Sequence, residues 1–104
     1  MSKTIALTGA AGYLGSVLID YLRAQHWVER IVAIDLKPVP ADGRVISYAT
    51  DIHDGSFLRA VFAEHGVSHV IHGAFTIIPP RGMSARQMRA ANFDGSQQVF
   101  RAAF

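Results

Sequence analysis

The chain has 104 residues and a formal net charge of +2 at pH 7; half of its residues are hydrophobic and 17% are charged. This composition is that of one small globular domain over residues 1–104, and it excludes a disordered chain. The lack of cysteine excludes disulfides, thiolate metal sites and cysteine nucleophiles, and it fits a cytoplasmic location. No stretch approaches the ~20 apolar residues of a membrane span, and no signal-peptide pattern is present, so we expect no membrane partner.

The first predicted elements are a strand, a glycine-rich turn and a helix. Apolar residues indicate a strand over residues 4–8, and a helical pattern occupies residues 13–24. The turn and the start of the helix carry three glycines at three-residue spacing: Gly9, Gly12 and Gly15. The helix has one apolar stripe at three- and four-residue spacing, made of Leu14, Val17, Leu18, Tyr21 and Leu22.

Two short strands are predicted next. A β-branched apolar run over residues 31–35 is typical of a parallel strand that is covered on both faces. A loop with Pro38 and Pro40 follows over residues 37–43, and residues 45–48 form a third strand.

A second helix follows the third strand. Asp54 or Ser56 can cap its N-terminus, because short polar side chains accept hydrogen bonds from the first turn. The helical pattern extends to His65, and Gly66 is well placed to end it. Its inward residues are Phe57, Leu58, Val61 and Phe62.

The last third of the chain predicts a strand, a loop and a long helix. Residues 67–74 form the strand, residues 76–82 form the loop, and the helix occupies residues 84–104. Gly95 weakens this helix, whose apolar side is made of Met88, Ala91, Val99, Phe100 and Phe104. The order of elements is therefore β-α-β-β-α-β-α, which indicates an α/β fold with a mostly parallel sheet.

The glycine-rich turn is the first candidate site. Glycine has no Cβ, and exposed N–H groups at the start of a helix favour a phosphate. Asp35 ends the second strand twenty residues after Gly15, which is the spacing of a carboxylate that binds the ribose of a dinucleotide. The alternative is that the glycines only allow tight helix–strand packing. Asp35 would repel a 2′-phosphate and so favours NAD over NADP, although Lys37 lies close enough to weaken that preference.

The motif over residues 8–15, Thr-Gly-Ala-Ala-Gly-Tyr-Leu-Gly, is similar to that of the extended short-chain dehydrogenases/reductases, also called NAD-dependent epimerases/dehydratases. Further segments resemble the same family in order: Asp35 and residues 49–54, 70–74 and 92–99. Residues 74–81 look like a sugar-epimerase-like branch of it. The resemblance covers nearly the whole chain and implies a three-layer, Rossmann-type parallel sheet with the strand order 3-2-1-4.

The resemblance also implies roles for individual residues. The position of Asp51 contacts adenine in the family, with the backbone of Ile52 nearby. The strand end at His72 passes under the phosphates and the nicotinamide ribose, and the counterpart of Asn92 supports a water chain to the catalytic lysine. The implied NAD site, with NADP less favoured, consists of Gly9, Ala11, Gly12, Tyr13, Leu14, Gly15, Asp35, Leu36, Asp51, Ile52, His72, Gly73, Ala74, Thr76 and Asn92.

Each of these positions also has a purely structural interpretation. Asp51 can be a turn or capping residue, and Asn92 can cap or kink the long helix. At the end of a strand, His72 is more often a hydrogen-bonded, partly buried imidazole than a catalyst. The histidines show no metal-ligand spacing beside carboxylates, so we assign no metal.

The family's catalytic Tyr-x-x-x-Lys pair is absent from these 104 residues, because four residues after the three tyrosines stand Val17, Gln25 and Ile52. The chain stops near the end of the fourth helix of the family fold, so we expect a truncated, cofactor-binding part with no catalytic residue of its own. The complete oxidoreductase would act on nucleotide sugars or related secondary alcohols. The alternative is a catalytically inactive, self-associating nucleotide-binding module.

Partners follow from the missing second half of the fold. In the family order the fourth strand is internal, so here it becomes an exposed apolar edge, and the first and last helices have bare faces. We therefore expect a homo-oligomer through that edge or those faces. The low net charge argues against nucleic acid. Four arginines lie near the C-terminus, and their only acidic neighbour in sequence is Asp94: Arg81, Arg86, Arg89 and Arg101. This pattern is more typical of a solvated helix face than of an anion-binding patch.

Overall fold

The computed structural model describes residues 2–74 and 80–103. A four-stranded parallel sheet has the strand order β3-β2-β1-β4, as the family resemblance implies. Three helices accompany it within these described ranges, which confirms the α/β class. The elements in chain order are β1 (Lys3–Thr8), α1 (Tyr13–Arg23), β2 (Val28–Asp35), β3 (Val45–Ala49), α2 (Gly55–His65), β4 (His69–His72) and α3 (Ala85–Ala103).

The two faces of the sheet have separate apolar clusters. Alternate residues of β1 point to opposite faces, so Ile5 and Leu7 pack with one cluster while Ala6 packs with the other. The first cluster takes in Ile19 and Leu22 of α1, and the second takes in residues of α2 and α3: Leu58, Val61, Phe62 and Val99. Both faces of the central strands are therefore covered, which is why these strands appear in the sequence as continuous apolar runs.

Two strands differ from their predicted bounds by more than one residue. β2 begins at Val28 rather than at residue 31, because Val28 is buried and Lys3 N donates a hydrogen bond to Trp27 O at 2.8 Å. β4 is shorter than predicted. Val67 N is used to close the end of α2, where it donates to Phe62 O at 3.0 Å. The first part of the predicted loop over residues 76–82 lies outside the described residues. The predicted end of the last helix at Phe104 also lies outside them.

The second helix has the predicted ends. Asp54, rather than Ser56, is the cap, and its Oδ1 accepts a hydrogen bond from Phe57 N at 3.1 Å. Gly66 ends the helix in the left-handed conformation with φ of 61°. Leu58 is fully buried between α2 and the sheet.

The first and third helices each leave apolar side chains uncovered. Of the stripe predicted on α1, only Leu22 is buried, whereas Leu14 and Tyr21 are 64% and 61% exposed. The side of α1 that faces the sheet carries Ile19 instead. On α3, Phe100 is 52% exposed, so the apolar sequence pattern of these helices exceeds what the described sheet can cover.

The burial of Leu58 generates a prediction on stability. Leu58→Ala should lower the free energy of unfolding by about 3 kcal/mol, because it removes buried methyl groups and leaves a cavity. Leu36→Ala makes the same change at a position that is 72% exposed and should cost less than about 0.5 kcal/mol. Chemical denaturation of both variants measures the difference, and equal losses would contradict the burial described for Leu58.

Candidate functional site

A cleft of about 350 Å³ opens at the carboxyl ends of the parallel strands. Each strand delivers residues to it: the turn after β1, the end of β2, the segment after β3 and the turn after β4. One turn of α3 closes its side. We call it the strand-end cleft; its lining residues are Gly9, Gly12, Asp35, Leu36, Thr50, Asp51, Ile52, His53, Gly73, Ala74, Ala91 and Asn92.

The position of the cleft follows from the topology. β2 and β4 lie on opposite sides of β1, so the connections leave β1 and β4 in different directions and a crevice opens between them. The backbones meet closely there. A Cβ built on Gly9, whose φ is 72°, would lie 2.5 Å from Gly73 O.

The three glycines of the turn have different reasons to be glycine. Gly9 combines positive φ with the contact to Gly73, and a Cβ on Gly15 would lie 2.6 Å from Ala10 O. Both are therefore required by the folded chain itself. A Cβ on Gly12 would meet only Gly9 O, at an ordinary 3.5 Å. The fold therefore has room for a side chain at position 12. Because the residue is nevertheless glycine, the surface of the cleft stays open to another molecule at this point.

The N-terminus of α1 lies at this opening and has no side-chain cap from a described residue, and no acidic residue lies in its first turn. The other two helices are capped by their own chain. Asp54 caps α2, and α3 has a reciprocal pair in which Ser84 N donates to Gln87 Oε1 and Gln87 N donates to Ser84 Oγ. The N–H groups and the positive dipole end of α1 therefore remain available to an anion.

Asp35 connects the end of β2 to the glycine turn. Its Oδ2 accepts a hydrogen bond from Ala11 N at 3.0 Å, and its Oδ1 accepts one from Lys37 N at 3.2 Å. These bonds hold the carboxylate at the wall of the cleft. Each oxygen keeps lone-pair capacity for hydroxyl donors.

Asp51 and His53, two further lining residues, form a hydrogen-bonded pair. Asp51 Oδ1 accepts from His53 N at 2.9 Å and lies 2.7 Å from His53 Nδ1. The backbone hydrogen bond, followed by the side-chain one, lowers the pKa of Asp51. The hydrogen bond to Asp51 raises the pKa of His53 despite partial burial.

His72 lies behind the cleft rather than on its wall. The Thr8 hydroxyl accepts hydrogen bonds from Gly73 N and Ala74 N, at 3.0 and 3.1 Å, so it has its own proton to donate. It lies 2.6 Å from His72 Nδ1, which therefore accepts. The proton of the neutral ring is then on Nε2, 2.8 Å from Ser96 Oγ. Burial lowers the pKa of His72, which agrees with this neutral form.

The cleft brings together nine of the residues implied by the family resemblance: Gly9, Gly12, Asp35, Leu36, Asp51, Ile52, Gly73, Ala74 and Asn92. Ala11 reaches its edge only through the bond to Asp35. Tyr13 and Leu14 project into solvent at 86% and 64% exposure, and Gly15 is buried beneath the turn. His72 bonds to Thr8 and Ser96, and Thr76 lies outside the described residues.

Three lining residues do not belong to the set predicted from the sequence: Thr50, His53 and Ala91. Thr50 and His53 flank Asp51 and Ile52, and Ala91 precedes Asn92. Adjacency to predicted site residues was the available signal. It does not reveal the approach of α3 to the turn before α2, which brings His53 Nε2 to 3.1 Å from Ala91 O.

Two features are absent from residues 2–74 and 80–103. Within those ranges no three His, Asp or Glu side chains cluster in a way that could hold a metal ion. Nor does any helix of this part of the chain combine the length and apolar character needed to cross a membrane.

Comparison with known proteins places this geometry in a family. A sequence model of the NAD dependent epimerase/dehydratase family matches residues 5–104. The UDP-glucose 4-epimerase of Lacticaseibacillus casei is 37% identical over 83 residues, a match that covers 73% of this chain. This chain spans only 24% of the length of that epimerase.

Solved structures share the fold. The crystal structure of the Bordetella bronchiseptica enzyme WbmG in complex with NAD superposes with a TM-score of 0.81 at 28% identity, covering 99% of this chain and 34% of that one. A mutant of uronate dehydrogenase from Agrobacterium tumefaciens, complexed with NAD, superposes with a TM-score of 0.80 at 26% identity, covering 99% and 37%.

The hydrogen-bond network at Thr8 generates a stability prediction. Thr8→Val keeps the volume but removes the hydroxyl that joins Gly73 N, Ala74 N and His72 Nδ1, so the free energy of unfolding should fall by about 2 kcal/mol. The matched control is Thr50→Val, because the Thr50 hydroxyl has no hydrogen-bond partner among the described residues. Denaturant titration compares the two, and a Thr8→Val variant as stable as the control would contradict the network.

Proposed function

The chain belongs to the NAD dependent epimerase/dehydratase family, and from this premise we propose that its strand-end cleft binds NAD as the cofactor-binding part of an oxidoreductase or epimerase. The observation that carries the proposal is Gly12. The fold has room for a side chain there, yet the position is bare and adjoins the uncapped start of α1. A pyrophosphate requires such a surface, with backbone N–H groups that it can approach.

The remaining lining residues fit the other parts of the dinucleotide. Asp35 offers carboxylate oxygens to the adenosine ribose hydroxyls, and Asp51 offers one to the adenine amino group. Gly73 and Ala74 after β4 and Asn92 of α3 would contact the nicotinamide half.

NAD is favoured over NADP by the charges around Asp35. A 2′-phosphate would approach that carboxylate directly. Arg23 and Arg44 are engaged elsewhere: Arg23 pairs with Asp42, and Arg44 donates to Gln25 O at 3.3 Å and to the carbonyls of Arg23 and Val28, at the end of β2 opposite Asp35. Lys37 is therefore the nearby cation whose charge would have to balance the 2′-phosphate of NADP.

When bound, the nicotinamide would supply reversible hydride transfer with a secondary alcohol carbon. The 104 residues contain no Tyr-x-x-x-Lys pair, so this chain would bind and orient the cofactor while other residues of a complete protein move the proton. We propose nucleotide sugars as the substrate class, supported by the similarity to a UDP-glucose 4-epimerase. The second candidate is a nucleotide-binding module without turnover, which binds NAD equally well but neither oxidises nor epimerises any sugar.

Isothermal titration calorimetry with NAD tests the cofactor site. Gly12→Val should abolish binding, because the side chain fills the surface that the pyrophosphate needs. Its unfolding midpoint should stay close to that of the unmodified chain, since the folded backbone leaves space at Gly12. Asp35→Ala should weaken NAD by about tenfold while improving NADP relative to NAD.

The matched control is Gly43→Val, because Gly43 has no atom within 4 Å of a built Cβ and is not among the lining residues. It should bind NAD like the unmodified chain. Tighter binding of NADP than of NAD by the unmodified chain would contradict the role given to Asp35.

We further propose that the isolated chain associates with a second copy of itself. β4 pairs with β1 on one side only, and no described strand covers its other edge. Uncovered apolar side chains of α1 and α3 lie on the two faces of the sheet: Leu14, Val17, Tyr21, Phe93 and Phe100. An apolar edge between two bare helix faces favours pairing with an identical surface.

Size-exclusion chromatography with light scattering tests this association. The unmodified chain should have at least twice its monomer mass of 11.3 kDa. Tyr21→Glu and Phe100→Glu place a charge on the α1 and α3 faces and should weaken an association that uses those faces. Leu36→Glu is the control on an exposed residue away from them. A well-folded monomer at high concentration would contradict the proposal.

A further inference from the structure

We propose that His53 is a positioning residue for the cofactor. As an imidazolium it holds the Asp51 carboxylate at the wall of the cleft and ties it to α3, so that NAD affinity falls when His53 loses its proton. This inference rests on the proposed NAD site and adds a pH response to it.

The protonation state follows from the partners of the ring. Nδ1 lies 2.7 Å from Asp51 Oδ1, and Nε2 lies 3.1 Å from Ala91 O. A carboxylate and a backbone carbonyl only accept hydrogen bonds, so both ring nitrogens must donate, and only the imidazolium has two N–H groups. His72 is the opposite case, because the Thr8 hydroxyl donates to one of its nitrogens.

The charges around the ring also favour the cation. Asp51 faces it from the turn before α2, and Asp94 Oδ2 of α3 lies 3.6 Å from Nε2. Asp35, at the end of β2, lines the same cleft. The pKa of His53 is accordingly raised, first by the hydrogen bond to Asp51.

His53 controls how Asp51 meets a ligand. Two groups of His53 donate to Asp51 Oδ1: the backbone N–H at 2.9 Å and ring Nδ1 at 2.7 Å. Oδ2 has no hydrogen-bond partner among the described residues, so it can accept from an amino group in the cleft. An acceptor that is held in one orientation binds such a group more tightly than one that must be ordered on binding.

The ring is also confined between two elements. A Cβ built on Gly95 of α3 would lie 3.4 Å from His53 Cε1 and 2.6 Å from Ile52 Cδ1. The missing side chain lets α3 approach the turn closely enough for Ala91 O to reach Nε2. Loss of the proton would place a ring lone pair against either Asp51 Oδ1 or Ala91 O. The two lone pairs repel, so His53 would separate from one of these two partners.

The test measures NAD affinity by calorimetry from about pH 6 to about pH 8.5, the range in which a histidine titrates. A group whose pKa is raised makes its contribution at low pH and loses it as pH rises through that pKa. The Kd of the unmodified chain should therefore increase with pH and level off about fivefold higher once His53 is neutral. The Asp51 carboxylate, whose pKa is lowered by its hydrogen bonds to His53, stays ionised throughout this range.

Three variants separate the charge from the fold. His53→Gln should bind about fivefold more weakly than the unmodified chain at low pH, with a Kd that no longer changes with pH. His53→Arg keeps a cationic donor at every pH, so it should retain the low-pH affinity without the pH dependence. His26→Gln is the control, because His26 is exposed and outside the cleft, and it should keep the unmodified profile.

The outcomes separate this inference from the proposed function. NAD binding with a pH-independent Kd, or a His53→Gln variant that keeps the unmodified pH profile, would overturn the role of His53 and leave the NAD site standing. No NAD binding by the unmodified chain at any pH would overturn the NAD site and this inference together.

Discussion

The close approach of two backbone turns, at Gly9 after β1 and Gly73 after β4, is the constraint on which the rest of the structure depends. A Cβ on Gly9 would fall 2.5 Å from Gly73 O, and the buried Thr8 hydroxyl bonds to Gly73 N and Ala74 N on the same side. Because these contacts join two neighbouring parallel strands where their connections diverge, they set the floor of the cleft. The wall residues Asp35 and Asp51 lie around this floor.

The two histidines of the site region show how partners determine protonation. The Thr8 hydroxyl has both of its acceptor positions filled by N–H groups, so it donates to His72 and keeps that ring neutral. His53 lies between a carboxylate and a carbonyl, which accept only. One histidine therefore braces β1, β4 and α3 as a neutral group, while the other joins the cleft wall to α3 as a cation.

The exposed apolar side chains of α1 and α3 are a property of the sheet that these residues form. Four strands offer too little area to cover both the sheet-facing side of α1 and the stripe of Leu14, Val17 and Tyr21. In the same way β4 has one edge without a described partner. The strand-end cleft lies at the carboxyl ends of the strands, and its described lining comes from the segments that follow them and from α3.

The sequence by itself determined the fold class, the strand order through the family resemblance, and the glycine turn with Asp35, because these depend on local conformation and on motifs that are contiguous in the chain. It could not distinguish Gly12 from Gly9 and Gly15, since the three differ only in what a Cβ would meet from other segments. Nor could it separate His53 from His72, or place Ile19 rather than Val17 against the sheet. Those distinctions depend on contacts between residues far apart in sequence, and only the tertiary structure brings such residues together.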